Sequence, residues 1–205
     1  MTGPQTLRTV SGDVEVVEAA GPVQARSSSG DLEVLDARSL VASSVSGDVG
    51  VSTIRGPLAV STTSGDVEIG DALDSLRVET TSGDVVVRNA RRGASLRSSS
   101  GDVRVRRAAG RVAIGTVSGG VVARVTPPAG PWTITTSSGD IQVGVAEAVG
   151  CTLDLRTTSG SLDLEVPATS RTVSRRHVTA VLGGGGTPLA LRSVSGSITV
   201  SPGEP

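Results

Sequence analysis

Seven aspartates stand directly after a glycine at a recurring position, and a row of carboxylates of this kind could bind metal ions. Aspartates at a fixed interval hold calcium in some repeat proteins. One carboxylate in each repeat supplies too few oxygen ligands for a tight calcium site. We therefore favour a second interpretation, in which each side chain accepts hydrogen bonds from backbone N–H groups at a turn, and we predict no metal site and no cofactor. The glycine–aspartate pairs are Gly12–Asp13, Gly30–Asp31, Gly47–Asp48, Gly65–Asp66, Gly83–Asp84, Gly101–Asp102 and Gly139–Asp140.

Arginine is the second residue type with a pattern, and it supplies all the basic residues other than the one histidine. A ladder of guanidinium groups can bind the phosphates of lipid headgroups or nucleic acid, or the acidic end of a second copy. The alternative is an ordinary solvated surface. Nucleic acid is the weaker partner, because Phe and Tyr are absent and a single Trp gives little stacking surface. The candidate interaction surface comprises Arg88, Arg104, Arg106, Arg107, Arg124, Arg175 and Arg176.

Residues suited to catalysis are few. His177 is the only histidine and Cys151 the only cysteine, so no Ser-His-Asp triad or zinc site can be nominated from the sequence. A single cysteine also excludes an internal disulfide. We predict no catalytic residues and no enzymatic activity.

A repeat of about 18 residues must position these side chains. Ten Ser-Gly dipeptides recur through the chain, and a fixed period of this size is typical of stacked units that cannot bury their apolar sides alone. The seven glycines named above are joined by three more. These are Gly119, Gly160 and Gly196.

Each repeat reads as two strands joined at the Ser-Gly corner. The residues two and four positions after the glycine are apolar, as Val85 and Val87 are after Gly83, and the residue between them varies. This alternation indicates a strand. Residues seven and five positions before the glycine are mostly apolar as well, as Leu76 and Val78 are, which indicates a second strand. The residue three positions before it is always Ser or Thr, and we expect this buried column to have its polar atoms satisfied.

The fold class that follows is all-β. We predict a single-stranded parallel β-solenoid of about ten 18-residue coils with Ser-Gly-Asp corners. A Greek-key sandwich is the alternative, since it also has many short strands with turns at regular spacing. A sandwich, however, does not need the same residues at every corner.

We expect one domain over residues 1–205. Regular coils span about 6–166, an irregular coil or capping excursion about 167–188, and the last coil 189–201. The first five residues lack the basic and apolar regions of a secretion signal, and no segment approaches 18 apolar residues. We therefore expect no transmembrane segment and a cytoplasmic protein, with peripheral contact to anionic lipid as a further possibility.

The recurring Thr-Ser-Gly-Asp-Val and Val-Ser-Gly-Asp-Val corners, with the terminal stretch from Leu191 to Val200, resemble those of the bacterial DUF4097 group, also described as the Toastrack domain and often labelled adhesins. The resemblance covers about residues 6 to 201. It implies a β-helix used as a scaffold or sensory module, frequently associated with envelope stress. It supplies no catalytic residues. The expected function is a non-enzymatic scaffold that binds a protein partner or itself, and the alternative is an adhesin-like module that binds a surface polymer.

Overall fold

Strands make up most of the molecule. The computed structural model describes residues 3–146 and 150–203, with the backbone alone given at 127–129, and the described part contains no helix. Accordingly, no helix of the described part is long and apolar enough to span a bilayer. The strands are β1 (Gln5–Ser11), β2 (Val14–Val16), β3 (Ala19–Ser29), β4 (Leu32–Ser46), β5 (Val49–Ile54), β6 (Leu58–Ser64), β7 (Val67–Ala72), β8 (Leu76–Ser82), β9 (Val85–Ala90), β10 (Ala94–Ser100), β11 (Val103–Ser118), β12 (Val121–Ser138), β13 (Ile141–Val145), β14 (Cys151–Ser159), β15 (Leu162–Leu164), β16 (Ser170–Ser174), β17 (His177–Leu182), β18 (Thr187–Ser195) and β19 (Ile198–Pro202).

Equivalent strands of neighbouring coils pair in parallel, so the fold is the predicted parallel β-solenoid and the Greek-key alternative is wrong. Strands that follow a corner glycine stack on one another, as β7 does on β9. Strands that precede a corner glycine form a second stack, as β8 does on β10. We call these two surfaces the post-glycine face and the pre-glycine face. The long strands β4, β11 and β12 contribute to both faces because they run through the turn between them.

The core lies between the two faces and is filled by six inward positions in each coil. Short aliphatic side chains in register fill most of this thin interior, and Trp132 is its one buried aromatic residue. In the coil that ends at Gly101, the inward residues are Val85, Val87, Ala90, Ala94, Leu96 and Ser98, all of them buried. Burial of each Val or Leu side chain stabilises the folded protein by roughly 1.5–3 kcal/mol.

Glycine is required at the corners because neighbouring coils approach closely there. Gly101 has a φ of +144°, and a Cβ built on it would lie 2.1 Å from the carbonyl oxygen of Gly83 in the neighbouring coil. No side chain fits at this distance. The Ser-Gly corner of each coil therefore rests directly on the backbone of the coil before it.

The column of small hydroxyls three positions before the glycine is buried, as expected, but its hydrogen bonding differs from expectation. Thr136, Thr157 and Ser193 donate to a corner glycine carbonyl of an adjacent coil over 3.2–3.5 Å. The other six buried members of the column have no hydrogen-bond partner, so the expectation of satisfied polar atoms is wrong for them. They are Ser27, Ser44, Thr62, Thr80, Ser98 and Thr116. A buried hydroxyl without a partner costs about 1–3 kcal/mol.

Coils stack in sequence order only as far as Gly139. Eight corners, from Gly12 to Gly139, follow one another, so the regular part makes about eight turns rather than the predicted ten. The coil of β18 and β19 comes next in space: β18 pairs with β12 on one side and with β14 on the other. The coil of β14 and β15 therefore stands outside it, although it precedes it in the chain.

A β-hairpin covers the far side of β14. Strand β17 pairs antiparallel with β14, and β16 pairs antiparallel with β17. The buried side chains Val178, Ala180 and Leu182 join the core. Because the hairpin occupies the outer edge of β14, the last coil of the sequence pairs with the inner edge instead.

Candidate anion-binding groove

Five of the seven predicted arginines converge on one groove of the post-glycine face. The groove has a volume of about 680 Å³. It is lined by Arg88, Arg104, Arg106, Arg107 and Arg124, with Asn89, Val105, Val122 and Thr126. The ladder inferred from the repeat thus lies together in space.

Strands β9, β11 and β12 position these side chains on three successive coils. Val87, Val105 and Ala123 are register partners and point into the core. The next residue of each strand is an exposed arginine, because side chains of a strand alternate between its two surfaces. Parallel strands lie about 4.8 Å apart, so Arg88, Arg106 and Arg124 follow one another at that spacing.

Carboxylates pair with two of the groove arginines, Arg88 and Arg104. Arg88 forms an ion pair with Glu68. Arg104 contacts Asp84 and Asp102, with N–O distances of 3.2 and 2.9 Å. Within the described residues, Arg106 and Arg107 form no ion pair closer than 4.0 Å. Like charges held this close repel one another, so an incoming anion gains attraction from several guanidinium groups at once.

Arg175 and Arg176 lie elsewhere, in the turn between β16 and β17. Arg176 borders a second depression, of about 530 Å³, on the pre-glycine face, together with Arg156 and Arg192. Arg156 and Arg192 are register partners on β14 and β18. The sequence analysis missed this pair, since 36 residues separate the two arginines. A signal was nevertheless present, because each of them stands four positions before its corner glycine.

Asp154 links the hairpin to the coil beneath it. Its Oδ1 accepts a hydrogen bond from Arg156 at 3.0 Å and lies 2.7 Å from Nε2 of His177 on β17. Partial burial by itself would raise the pKa of Asp154. The hydrogen bonds and charges of Arg156 and His177 outweigh it, so that the pKa falls below its usual value. The carboxylate is therefore ionised at neutral pH and holds β17 against β14.

The corner aspartates form a ladder along the solenoid. The Oδ1 atom of each accepts the backbone N–H of the equivalent residue in the next coil, as Asp66 does from Asp84 at 2.8 Å. The same contact joins Asp13 to Asp31 and Asp102 to Gly120. In the described part of the chain, no three His, Cys, Asp or Glu side chains lie close enough together to share a metal ion.

Cys151 lies at the start of β14 and is buried. Burial raises the pKa of its thiol to about 11, so the thiol stays protonated at neutral pH. A protonated thiol is a poor nucleophile, so the fold gives Cys151 a packing role.

Two stacks of parallel strands around a narrow aliphatic core define a β-solenoid that fits a non-enzymatic scaffold or interaction module. The family model Toastrack DUF4097 matches residues 36–201, and the chain therefore belongs to this family, as its repeats predicted. The match begins at residue 36, whereas the resemblance was expected from about residue 6. The first corners, at Gly12 and Gly30, therefore lie outside the match. No curated protein and no solved structure matched the chain.

Proposed function

We propose that the protein is a non-enzymatic interaction module that binds an anionic partner through the arginine-lined groove. The observation that supports it is the convergence of five guanidinium groups from three coils, with Arg106 and Arg107 free of ion pairs to any described carboxylate. An extended row of positive charge suits an extended row of negative charge.

An acidic protein surface is the partner that this groove fits best. The chain itself carries acidic side chains on the post-glycine face of its first coils, where Glu15 and Glu33 are register partners. A second copy is therefore one candidate, and anionic lipid is another. Nucleic acid is disfavoured because the groove offers no aromatic side chain for base stacking.

The setting we propose is bacterial envelope-stress sensing or assembly, with the protein in the cytoplasm or at the inner surface of the membrane. An adhesin-like module that binds a surface polymer is the second candidate, favoured by the long, flat rows of exposed hydroxyls such as Ser64, Ser82 and Ser100. The two proposals differ in location. Fractionation of the native cell would find the protein inside for the first and at the cell surface for the second.

Binding to two anionic probes tests the groove. Poly-L-glutamate represents an acidic protein surface, and phosphatidylglycerol vesicles represent anionic lipid, with phosphatidylcholine vesicles as the neutral reference. We expect binding to poly-L-glutamate that weakens as salt rises from about 0.05 M to about 0.5 M. The double variant Arg106→Glu/Arg107→Glu should abolish it.

The matched control is Arg77→Glu/Arg97→Glu, which changes the net charge equally on the pre-glycine face. It should retain binding. Equal loss in both double variants would show that net charge alone governs binding and would contradict the proposal. If the protein bound the anionic vesicles but not poly-L-glutamate, the result would indicate anionic lipid rather than an acidic protein as the partner.

A further inference from the structure

The final coil of the chain lies in a slot between two coils that precede it in sequence. On the pre-glycine face, β18 is flanked by β12 and β14. On the post-glycine face, β19 is flanked by β13 and β15. Residues 189–195 on the pre-glycine face and 198–200 on the post-glycine face therefore lie between paired strands on both sides.

The slot is built for one kind of occupant. The inward side chains of the final coil are almost wholly buried, with Leu191 and Val200 both 0 % exposed. Its corner is equally constrained, because a Cβ on Gly196 would lie 2.1 Å from the carbonyl oxygen of Gly139, and one on Gly160 would lie 2.1 Å from that of Gly196. An occupant must therefore place apolar side chains, a small hydroxyl and a glycine at fixed positions.

The link between the final coil and the hairpin consists of four glycines, Gly183 to Gly186. Three of them have positive φ, at 58°, 73° and 129°. This loop carries the chain across the start of β14, where Cys151 is the register partner of Leu182 on one side and of Thr187 on the other. Consecutive glycines have the conformational freedom to lead the chain in another direction.

From this geometry we propose that the slot accepts the final coil of a second copy, so that two molecules exchange residues 187–202. An exchanged coil makes the same backbone hydrogen bonds and the same apolar contacts as the molecule's own coil, and only the glycine loop changes course. An empty slot would leave unpaired strand edges on both faces, which favours refilling. This proposal is independent of the arginine groove.

The final coil of a second copy meets these requirements of the slot. The sequence Leu189-Ala-Leu-Arg-Ser-Val-Ser-Gly-Ser-Ile-Thr-Val200 meets every position of the slot, and each copy of the protein carries it. A peptide without glycine at the corner would collide with the backbone of Gly139.

Two variants of the full-length protein, each with one added cysteine, test the exchange. Thr133 on β12 and Ala190 on β18 are direct register partners on the outer surface. Adjacent residues of parallel strands lie within the Cα separation that a disulfide bridges. The variants Thr133→Cys and Ala190→Cys are mixed, unfolded together, refolded at high concentration under reducing conditions and then oxidised. Cys151 is buried after refolding and does not interfere.

We expect a disulfide-linked dimer between the two variants on a non-reducing gel. In the control mixture, Ser95→Cys replaces Thr133→Cys; Ser95 occupies the same coil position but pairs with Ala113 and Arg77 rather than with Ala190. The dimer should be lost there. The single-chain variant Thr133→Cys/Ala190→Cys should form its disulfide within one molecule, which shows that the pair can be bridged. No dimer in the test mixture, or an equal amount in the control, would overturn the proposal.

Discussion

The two ends of the solenoid differ in how their outermost strands are covered. At the N-terminal end, among the strands of the described residues, β1 pairs only with β3 and β2 only with β4. The inward residues Leu7 and Val14 are accordingly only half-buried. At the C-terminal end, the hairpin covers β14, and the final coil is enclosed on both sides. Side chains at equivalent coil positions therefore contribute unequally to the free energy of unfolding, because a side chain is fully buried only where coils lie on both sides of it.

The largest expected difference concerns the corner glycines. Gly101→Ala should lower the free energy of unfolding by about 3 kcal/mol or more, because the new Cβ meets the Gly83 carbonyl at 2.1 Å and the φ of +144° strains an L-residue. Gly12→Ala should be nearly neutral, since the nearest atom to its Cβ, Thr9 Oγ1, is 3.5 Å away and its φ is not positive. Urea denaturation of both variants measures the difference. Comparable losses would contradict the stacking of each corner on the previous one.

The next effect compares the same inward position at the two ends. Leu191 and Leu7 both stand five residues before a corner glycine, but Leu191 is 0 % exposed and Leu7 is half-buried. Leu191→Ala should cost about 2–5 kcal/mol, and Leu7→Ala about 1 kcal/mol or less.

The protein carries its own probe for this measurement. Trp132 is its only tryptophan, is buried and pairs in register with Leu189 of the final coil. Denaturation followed by tryptophan fluorescence therefore reports on the slot. An equal cost at both ends would mean that the final coil is no better enclosed than the first.

The coil itself could be predicted from the sequence because apolar residues recur at the positions of Val87 and Leu96 in every repeat. The order of the last coils could not. Inward side chains are nearly interchangeable between coils. The repeat pattern therefore predicts the structure of each coil, but it does not predict which coil pairs with which. The long interval from Gly160 to Gly196, with its basic stretch and its four consecutive glycines, signalled the excursion but not its pairing. For the same reason the arginine groove, which lies on consecutive coils, was predictable, whereas the pairing of Arg156 with Arg192 was missed.

A smaller effect is expected at the hairpin that covers the C-terminal end. Asp154→Asn removes the charge that attracts Arg156 and His177, and partly exposed pairs of this kind contribute about 0.5–1 kcal/mol. Alkylation of the Cys151 thiol requires β14 to open. Loss of about 0.5–1 kcal/mol makes this opening easier, so the alkylation rate at pH 8 should rise about two- to fivefold. Arg171→Gln, on the exposed strand β16, is the control and should leave the rate unchanged.

The same carboxylate gives the hairpin a pH dependence. Because the pKa of Asp154 is lower in the folded protein than in the unfolded chain, its stabilising effect is present above the unfolded value of about 3.9 and is lost as the pH falls through the folded value. The difference in unfolding free energy between wild type and Asp154→Asn should therefore be seen at pH 7 and vanish at about pH 2. A difference that persists in acid would show that the effect comes from packing.

The smallest effect concerns the aspartate ladder, which runs unbroken from the N-terminal end to Asp102 and stops where residue 120 is glycine. Gly120 donates its N–H to Asp102, but it offers no carboxylate to the backbone N–H of Asp140. A Cβ at this position would lie 3.5 Å from Asp102 Oδ1 and 3.6 Å from the Asp140 carbonyl oxygen, which are ordinary contacts, and its φ is not positive. Gly120→Asp should therefore fit without strain.

We expect Gly120→Asp to raise the free energy of unfolding by about 0.5–1 kcal/mol, because it limits the unfolded chain and adds a charge-assisted hydrogen bond. Gly120→Ala limits the unfolded chain equally but supplies no acceptor, so the difference between the two variants isolates the ladder contact. Repulsion from Asp102 opposes the gain, and the ion pair of Asp102 with Arg104 at 2.9 Å reduces that repulsion. If Gly120→Asp proved less stable than Gly120→Ala, repulsion within the column would exceed the hydrogen bond.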